Sequence, residues 1–162
     1  MSLHGIGVDV LHLPRIVSLC SRRRSGKLAS RILSMDEMVV FNTLAHEEQR
    51  QARFLAVRWA VKEAAYKALY PVRPTWKELT FTSLINGIKP TLYYHPGSTT
   101  TNGSVANTNW ITAEKTHKLH VSVSHDGDYV FASVVAVTWC VNCFFILNST
   151  KAYKRTFLVL IL

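Results

Sequence analysis

From Arg53 to Leu69 the chain reads Arg-Phe-Leu-Ala-Val-Arg-Trp-Ala-Val-Lys-Glu-Ala-Ala-Tyr-Lys-Ala-Leu, mostly good helix formers with no Gly or Pro. The spacing predicts one long helix around which the rest of the chain must be organised. Phe54, Val57, Val61, Ala65 and Ala68 recur at intervals of three and four and give it an apolar face. Glu63 and Lys67 are four apart and share another face, with the small Ala56 and Ala60 in the turns before them. Arg58 and Lys62, also four apart, lie on a neighbouring face.

A Glu followed by a Lys four residues on is a common helix-stabilising pair, worth roughly 0.2–0.5 kcal/mol. The sharper reading is a metal and phosphate site. A hard cation such as Mg2+ takes carboxylate oxygens, keeps several waters and shares a substrate's phosphates, to which Lys adds point charge. That reading needs a second carboxylate from elsewhere in the chain. His4 to Leu11, His-Gly-Ile-Gly-Val-Asp-Val-Leu, supplies a candidate. Its alternation predicts a strand with Ile6, Val8 and Val10 on one face and Gly7, Asp9 and Leu11 on the other. An Asp among valines is out of place in a strand; it either turns the chain or pairs with Glu63.

At 162 residues, 48% hydrophobic and 18% charged, the chain has the make-up of one globular domain. Its net charge of +9 favours an anionic partner: nucleic acid, acidic lipid, a phosphorylated small molecule or an acidic protein. Cys20, Cys140 and Cys143 make no disulfide framework, which points to a reducing compartment, and the lone Cys140–Cys143 pair reads as coincidence rather than zinc. No membrane span is expected, because no apolar run reaches the required length. Strand-like sequence begins by Gly5, so neither a signal peptide nor an Arg-rich transit peptide is expected.

Pro14 suits the first turn of a helix continuing through Arg15 to Leu19. Ser21 to Lys27 is a basic run that reads as a solvated face or loop. With Arg15 it forms the densest basic cluster: Arg15, Arg22, Arg23, Arg24 and Lys27. It lacks the interleaved aromatics of a single-strand nucleic-acid surface. Leu28 to Leu33 reads as helix. Ser34-Met-Asp-Glu37 resembles a capping box opening a helix to about Leu44. His46 to Arg53 is polar and leads into the central helix, which Pro71 and Pro74 end. Leu79 to Leu84 and Thr91 to Tyr94 read as a hairpin about Asn86-Gly87. Pro96 to Asn109 reads as an exposed, mobile loop. Leu119 to Ser124 and Tyr129 to Val137 form a second hairpin, turning over His125 to Asp128. Past Thr138 the pattern weakens. Domain boundaries of 1–137, with an atypical tail over 138–162, follow.

Three separated blocks, Gly5 to Val10, Arg58 to Lys67 and Val121 to Asp126, together resemble the holo-acyl-carrier-protein synthase type of 4′-phosphopantetheinyl transferase. The Trp-Ala-x-Lys-Glu-Ala-x-x-Lys block is specific, and Lys89-Pro90 also fits the family's central hairpin. The likeness covers about Gly5 to Val137, with Pro96 to Asn109 as an insertion. It implies a single α+β domain, a helical middle packed on a mostly antiparallel sheet. It implies transfer of phosphopantetheine from coenzyme A to a serine of an acidic acyl carrier protein, with adenosine 3′,5′-bisphosphate released and Mg2+ required. By resemblance, Asp9 and Glu63 are the metal carboxylates and Lys67 the lysine near the pyrophosphate. Arg58, Lys62, His125, Lys89 and Pro90 fall at coenzyme positions, and Arg15, Arg22, Arg23 and Arg24 in the carrier-docking region. It also implies a homotrimer with sites between subunits. A stand-alone enzyme with such an insertion resembles fungal mitochondrial members, so the compartment expected is mitochondrial in a eukaryote and cytoplasmic otherwise. The competing classes are a non-catalytic coenzyme A-binding module and a basic nucleic-acid-binding domain. The second leaves Asp9, Glu63 and His125 without a role.

Overall fold

The computed structural model describes residues 1–23, 25–45, 47–83, 89–97 and 116–139. Strand β1 (Ser2–His12) leads into three helices, α1 (Leu13–Arg23), α2 (Ser25–Ile32) and α3 (Met35–Thr43). The long α4 (Glu48–Ala68) follows, then a 3-10 turn (Trp76–Glu78) and strands β2 (Leu79–Thr82), β3 (Thr91–Tyr94), β4 (Thr116–Asp126) and β5 (Tyr129–Trp139). The strands form one sheet in the order β1-β5-β4-β3-β2, every neighbouring pair antiparallel. This is the α+β architecture expected, with α4 lying on the sheet over β1 and β5.

Several elements differ in extent from the sequence reading. In the basic run after Ser21 the described residues are helical, with Arg22 and Lys27 on a solvated face rather than in a loop: α1 reaches Arg23 and α2 opens at Ser25, earlier than the expected Leu28. Exposed Arg and Lys are good helix formers, and Gly26 falls in the first turn of α2. α4 begins at Glu48 rather than Arg53, because its polar first turns lie at the exposed end of the helix. The β4–β5 turn tightens to Gly127-Asp128, and Gly127 takes a φ of 51°, where a glycine meets no steric penalty. β5 continues through Thr138 and Trp139, past the expected boundary at 137, because both pair with β4. Arg24, the Asn86-Gly87 turn, residues 98–109 of the expected loop and the tail from residue 140 lie outside the described residues.

α4 does not bury one apolar face. Ala52, Ala56, Ala60, Ala64 and Ala68, spaced by four, are all buried, as are Leu55, Val61 and Ala65, while Phe54 and Val57 are only half-buried. The helix has the sheet on one side and α1 and α2 on another, so its apolar surface wraps around it. The alanine row meets the glycines of β1. A Cβ added at Gly7 would overlap the Ala64 carbonyl oxygen and stand 2.7 Å from the Ala68 nitrogen; one at Gly5 would overlap the Ala68 carbonyl oxygen. The two backbones are therefore as close as glycine and alanine allow. β1 alternates as its sequence requires, with Gly7 and Leu11 buried toward α4. Ile6, Val8 and Val10 stand exposed on the outer face of the sheet.

A buried polar cluster joins the helices to the sheet. Ser34 and Glu37 form the capping box read from the sequence. Glu37 is 2% exposed and does more: Oε2 accepts from the Ser34 amide at 2.9 Å and from Lys62 Nζ at 2.6 Å, while Oε1 accepts from the Phe81 amide at 2.9 Å. Lys62 Nζ also donates to the carbonyls of Ile32 (2.7 Å) and Trp76 (2.8 Å).

Gly7→Ala should destabilise the fold by about 2–3 kcal/mol or more in urea unfolding, because the new methyl meets backbone that cannot move aside. Gly26→Ala, where nothing stands within 4 Å, should stabilise by about 0.5 kcal/mol. Equal effects at the two positions would contradict the close approach of α4 to β1.

Candidate active site

The contact between β1 and α4 sets the geometry. Asp9 lies two residues beyond Gly7 on the same face of β1, and α4 presents Glu63 and Lys67 on successive turns. Lys67 Nζ donates to Asp9 Oδ1 at 3.0 Å and to the Val8 carbonyl at 2.7 Å. Burial pushes the Glu63 carboxyl above the ordinary carboxylate range, the negative charge of Asp9 pushes it further, and Lys67 opposes both. Two carboxylates and one ammonium from opposite halves of the β1–α4 contact thus share one half-exposed place. Beside it lies a cleft of about 150 Å3 lined by Lys62, Glu63, Tyr66, Pro74, Trp76 and Leu79.

The site suits a divalent cation. The negative charge of Asp9 that raises the Glu63 carboxyl is relieved by a shared positive ion. Mg2+ binds through one or two carboxylates and keeps its other positions for water and phosphate. Among the described residues no group of three or more His, Cys, Asp or Glu stands together, so Asp9 and Glu63 would be the protein's share of such a site.

The other sequence-predicted residues fall elsewhere. Arg58 and Lys62, expected on coenzyme phosphates, turn into the core. Lys62 is 2% exposed with its ammonium bonded to Glu37 and two carbonyls. The Arg58 guanidinium lies 3.2 Å from the centre of the Phe54 ring, with Nε 3.9 Å from Glu37 Oε1. Burial lowers the Arg58 pKa to about 10 against the pull of Glu37, and it lowers that of Lys62 likewise. Neither charge is presented to a ligand in this structure. His125 is exposed near the end of β4, opposite Val130, which in turn pairs with Leu11. At about 4.8 Å per strand, His125 is roughly 10 Å from β1 within one chain. Lys89 and Pro90 precede β3, three strands from β1. Arg15 and Arg22 are exposed on α1, two turns apart on one face. Arg23 ends α1, and Arg24 lies outside the described residues.

Neither the second role of Glu37 nor the Tyr66–Trp76 cleft followed from the sequence. A signal for the first was present: α4 carries Arg58 and Lys62 among Leu55, Val61 and Ala65, and cations in apolar surroundings require a buried counter-charge.

The chain is similar to known proteins over most of its length. A holo-[acyl-carrier-protein] synthase of Cupriavidus pinatubonensis is 33% identical over 140 residues, 83% of this chain and 90% of that protein. One of Staphylococcus saprophyticus is 34% identical over 82% of this chain and 97% of that protein. Among solved structures, the holo-[acyl-carrier-protein] synthase of Neisseria meningitidis superposes with a TM-score of 0.63 at 28% identity, covering 84% of this chain and 99% of that one. That of Bacillus anthracis, solved in complex with CoA (3′,5′-ADP), gives a TM-score of 0.58 at 27% identity over 83% and 96%. The family model described as ACPS, 4′-phosphopantetheinyl transferase superfamily, matches residues 5–134, and the chain belongs to that superfamily.

Proposed function

We infer that this chain is a holo-[acyl-carrier-protein] synthase. It transfers 4′-phosphopantetheine from coenzyme A to a serine hydroxyl of an apo-acyl carrier protein. The serine oxygen bonds to the phosphorus that carries the pantetheine arm, the pyrophosphate bridge to adenosine 3′,5′-bisphosphate breaks, and the hydroxyl proton is released. The observation that carries this reading is the convergence of Asp9, Glu63 and Lys67 in a member of this superfamily. Phosphoryl-type transfer needs positioning and charge neutralisation more than covalent help. Lys67, tethered to the Val8 carbonyl, places a fixed positive charge where the pyrophosphate would lie. Asp9 and Glu63 would hold one Mg2+, which when bound neutralises phosphate charge. The cleft beside Glu63 gives room for part of a substrate next to the carboxylates.

The carrier protein is acidic in this reading, and the exposed Arg15–Arg22 face of α1 is its docking surface. The active assembly is a homotrimer. Two features support it: the exposed apolar outer face of Ile6, Val8, Val10 and Phe131, and the distance of His125, Lys89 and Pro90 from Asp9 within one chain. A neighbouring chain can supply what one chain holds apart. The product feeds fatty acid synthesis, in the mitochondrion of a eukaryotic source or the cytoplasm of a bacterial one.

Mass spectrometry of an apo-carrier protein incubated with this chain, coenzyme A and Mg2+ should show one added phosphopantetheine, and EDTA should prevent it. Lys67→Ala should lower kcat by roughly 10²–10³-fold, the scale set by removing one aimed charge. No mass shift with folded protein, across mitochondrial and bacterial carriers, would overturn the assignment. Arg15→Glu with Arg22→Glu should raise the carrier KM about tenfold, roughly 1.4 kcal/mol, and leave the coenzyme A KM nearly unchanged. A carrier KM that stays put would remove α1 from the docking surface. Val8→Glu, on the outer face, should dissociate the assembly in sedimentation and abolish transfer; a fully active monomer would refute the trimer.

A further inference from the structure

Glu63 follows Lys62 on α4, and the angle at which the helix presents one is set by whatever holds the other. The alanine row against β1 allows close approach but, being nearly smooth, gives little resistance to rotation of the helix about its axis. Beyond the packing of α1 and α2 on the helix, directional bonds add resistance of their own. The Lys62 ammonium has three protons, and three acceptors meet it: the Ile32 carbonyl at the end of α2, Glu37 Oε2 in α3 and the Trp76 carbonyl in the 3-10 turn. Glu37 is fixed in its turn by the amides of Ser34 and Phe81. Trp76 and Lys62 both line the cleft beside Glu63. A buried ion pair is commonly no more stabilising than apolar residues of the same volume, so stability alone gives this one no particular purpose. It does specify direction.

We propose that Glu37 is a positioning residue for the active site, acting through Lys62 to set the angle at which α4 presents Glu63 and to hold the Trp76 wall beside it. The proposal rests on the reading of Glu63 as a cation ligand. The decisive variant is the double substitution Glu37→Gln with Lys62→Met, which removes both charges at similar volume. It should still melt cooperatively, at a temperature lowered because Arg58 loses its buried counter-charge. Its Mg2+ dissociation constant, measured by titration calorimetry, should rise about tenfold, as when a group supporting a metal ligand is lost. Its kcat should fall by a similar factor with the carrier KM unchanged. A purely structural pair would leave a folded double variant with wild-type Mg2+ affinity, and that result overturns the proposal. Should the double variant not fold, Lys62→Arg keeps the charge but cannot repeat the three bonds, and the same two readouts decide. Wild-type protein that binds no Mg2+ overturns this proposal together with the metal reading. Wild-type protein that binds Mg2+ but transfers nothing overturns the assigned activity alone.

Discussion

The backbone of α4 rests on the backbone of β1 because neither element puts bulk between them. Gly5 and Gly7 offer no Cβ, and Ala64 and Ala68 offer only a methyl. Everything chemical in the structure depends on this separation. Asp9 belongs to the strand, Glu63 and Lys67 belong to the helix, and more than fifty residues of chain lie between them. Larger side chains in the contact would lift the helix from the strand, and Lys67 would no longer span 3.0 Å to Asp9. The small residues are thus a requirement of the site rather than gaps in the core.

Two lysines on the same helix show how burial divides charges of equal sign. Lys67 is half-exposed and faces a carboxylate at the open end of the β1 contact. Lys62, five positions earlier, is enclosed, and three acceptors surround it. Arg58 shares that enclosure and has part of its hydrogen-bonding capacity unmet, with Nε making no hydrogen bond. A guanidinium stacked on Phe54 is tolerated there because a delocalised cation is weakly hydrated and Glu37 is near.

Periodicity and spacing made much of this legible. The alternation of β1, the helix around Glu63, the capping box at Ser34, the pairing of β2 with β3 and the β4–β5 hairpin follow from local rules, and the structure has them. The pairing of Asp9 with the helix was readable because an Asp within a valine-rich strand has no packing reason to be there. What local rules could not supply was the azimuth of α4. A helix covered on more than one side carries no single apolar stripe, so periodicity alone did not separate its inward cations from its outward ones. The fate of Lys62 depended on Glu37, twenty-five residues away, whose capping role concealed a second one. The lengths of β1, β4 and β5 were likewise set by their partners, since each strand extends as far as its neighbour pairs with it.

β1 also behaves as a reading frame. One parity of its residues carries glycine, aspartate and leucine toward the helix; the other carries isoleucine and two valines outward. Pairing with β5 shifts register between Leu3 and Gly5, so the frame in force at Asp9 is established only after that irregularity. One residue inserted or deleted between Gly5 and Asp9 would exchange the two faces, turning the carboxylate outward and driving branched side chains into the helix. Substitutions in this strand can be graded one at a time, whereas a change in its length cannot be. Natural variation in chain length should therefore accumulate in the connections and leave this short interval with a fixed residue count.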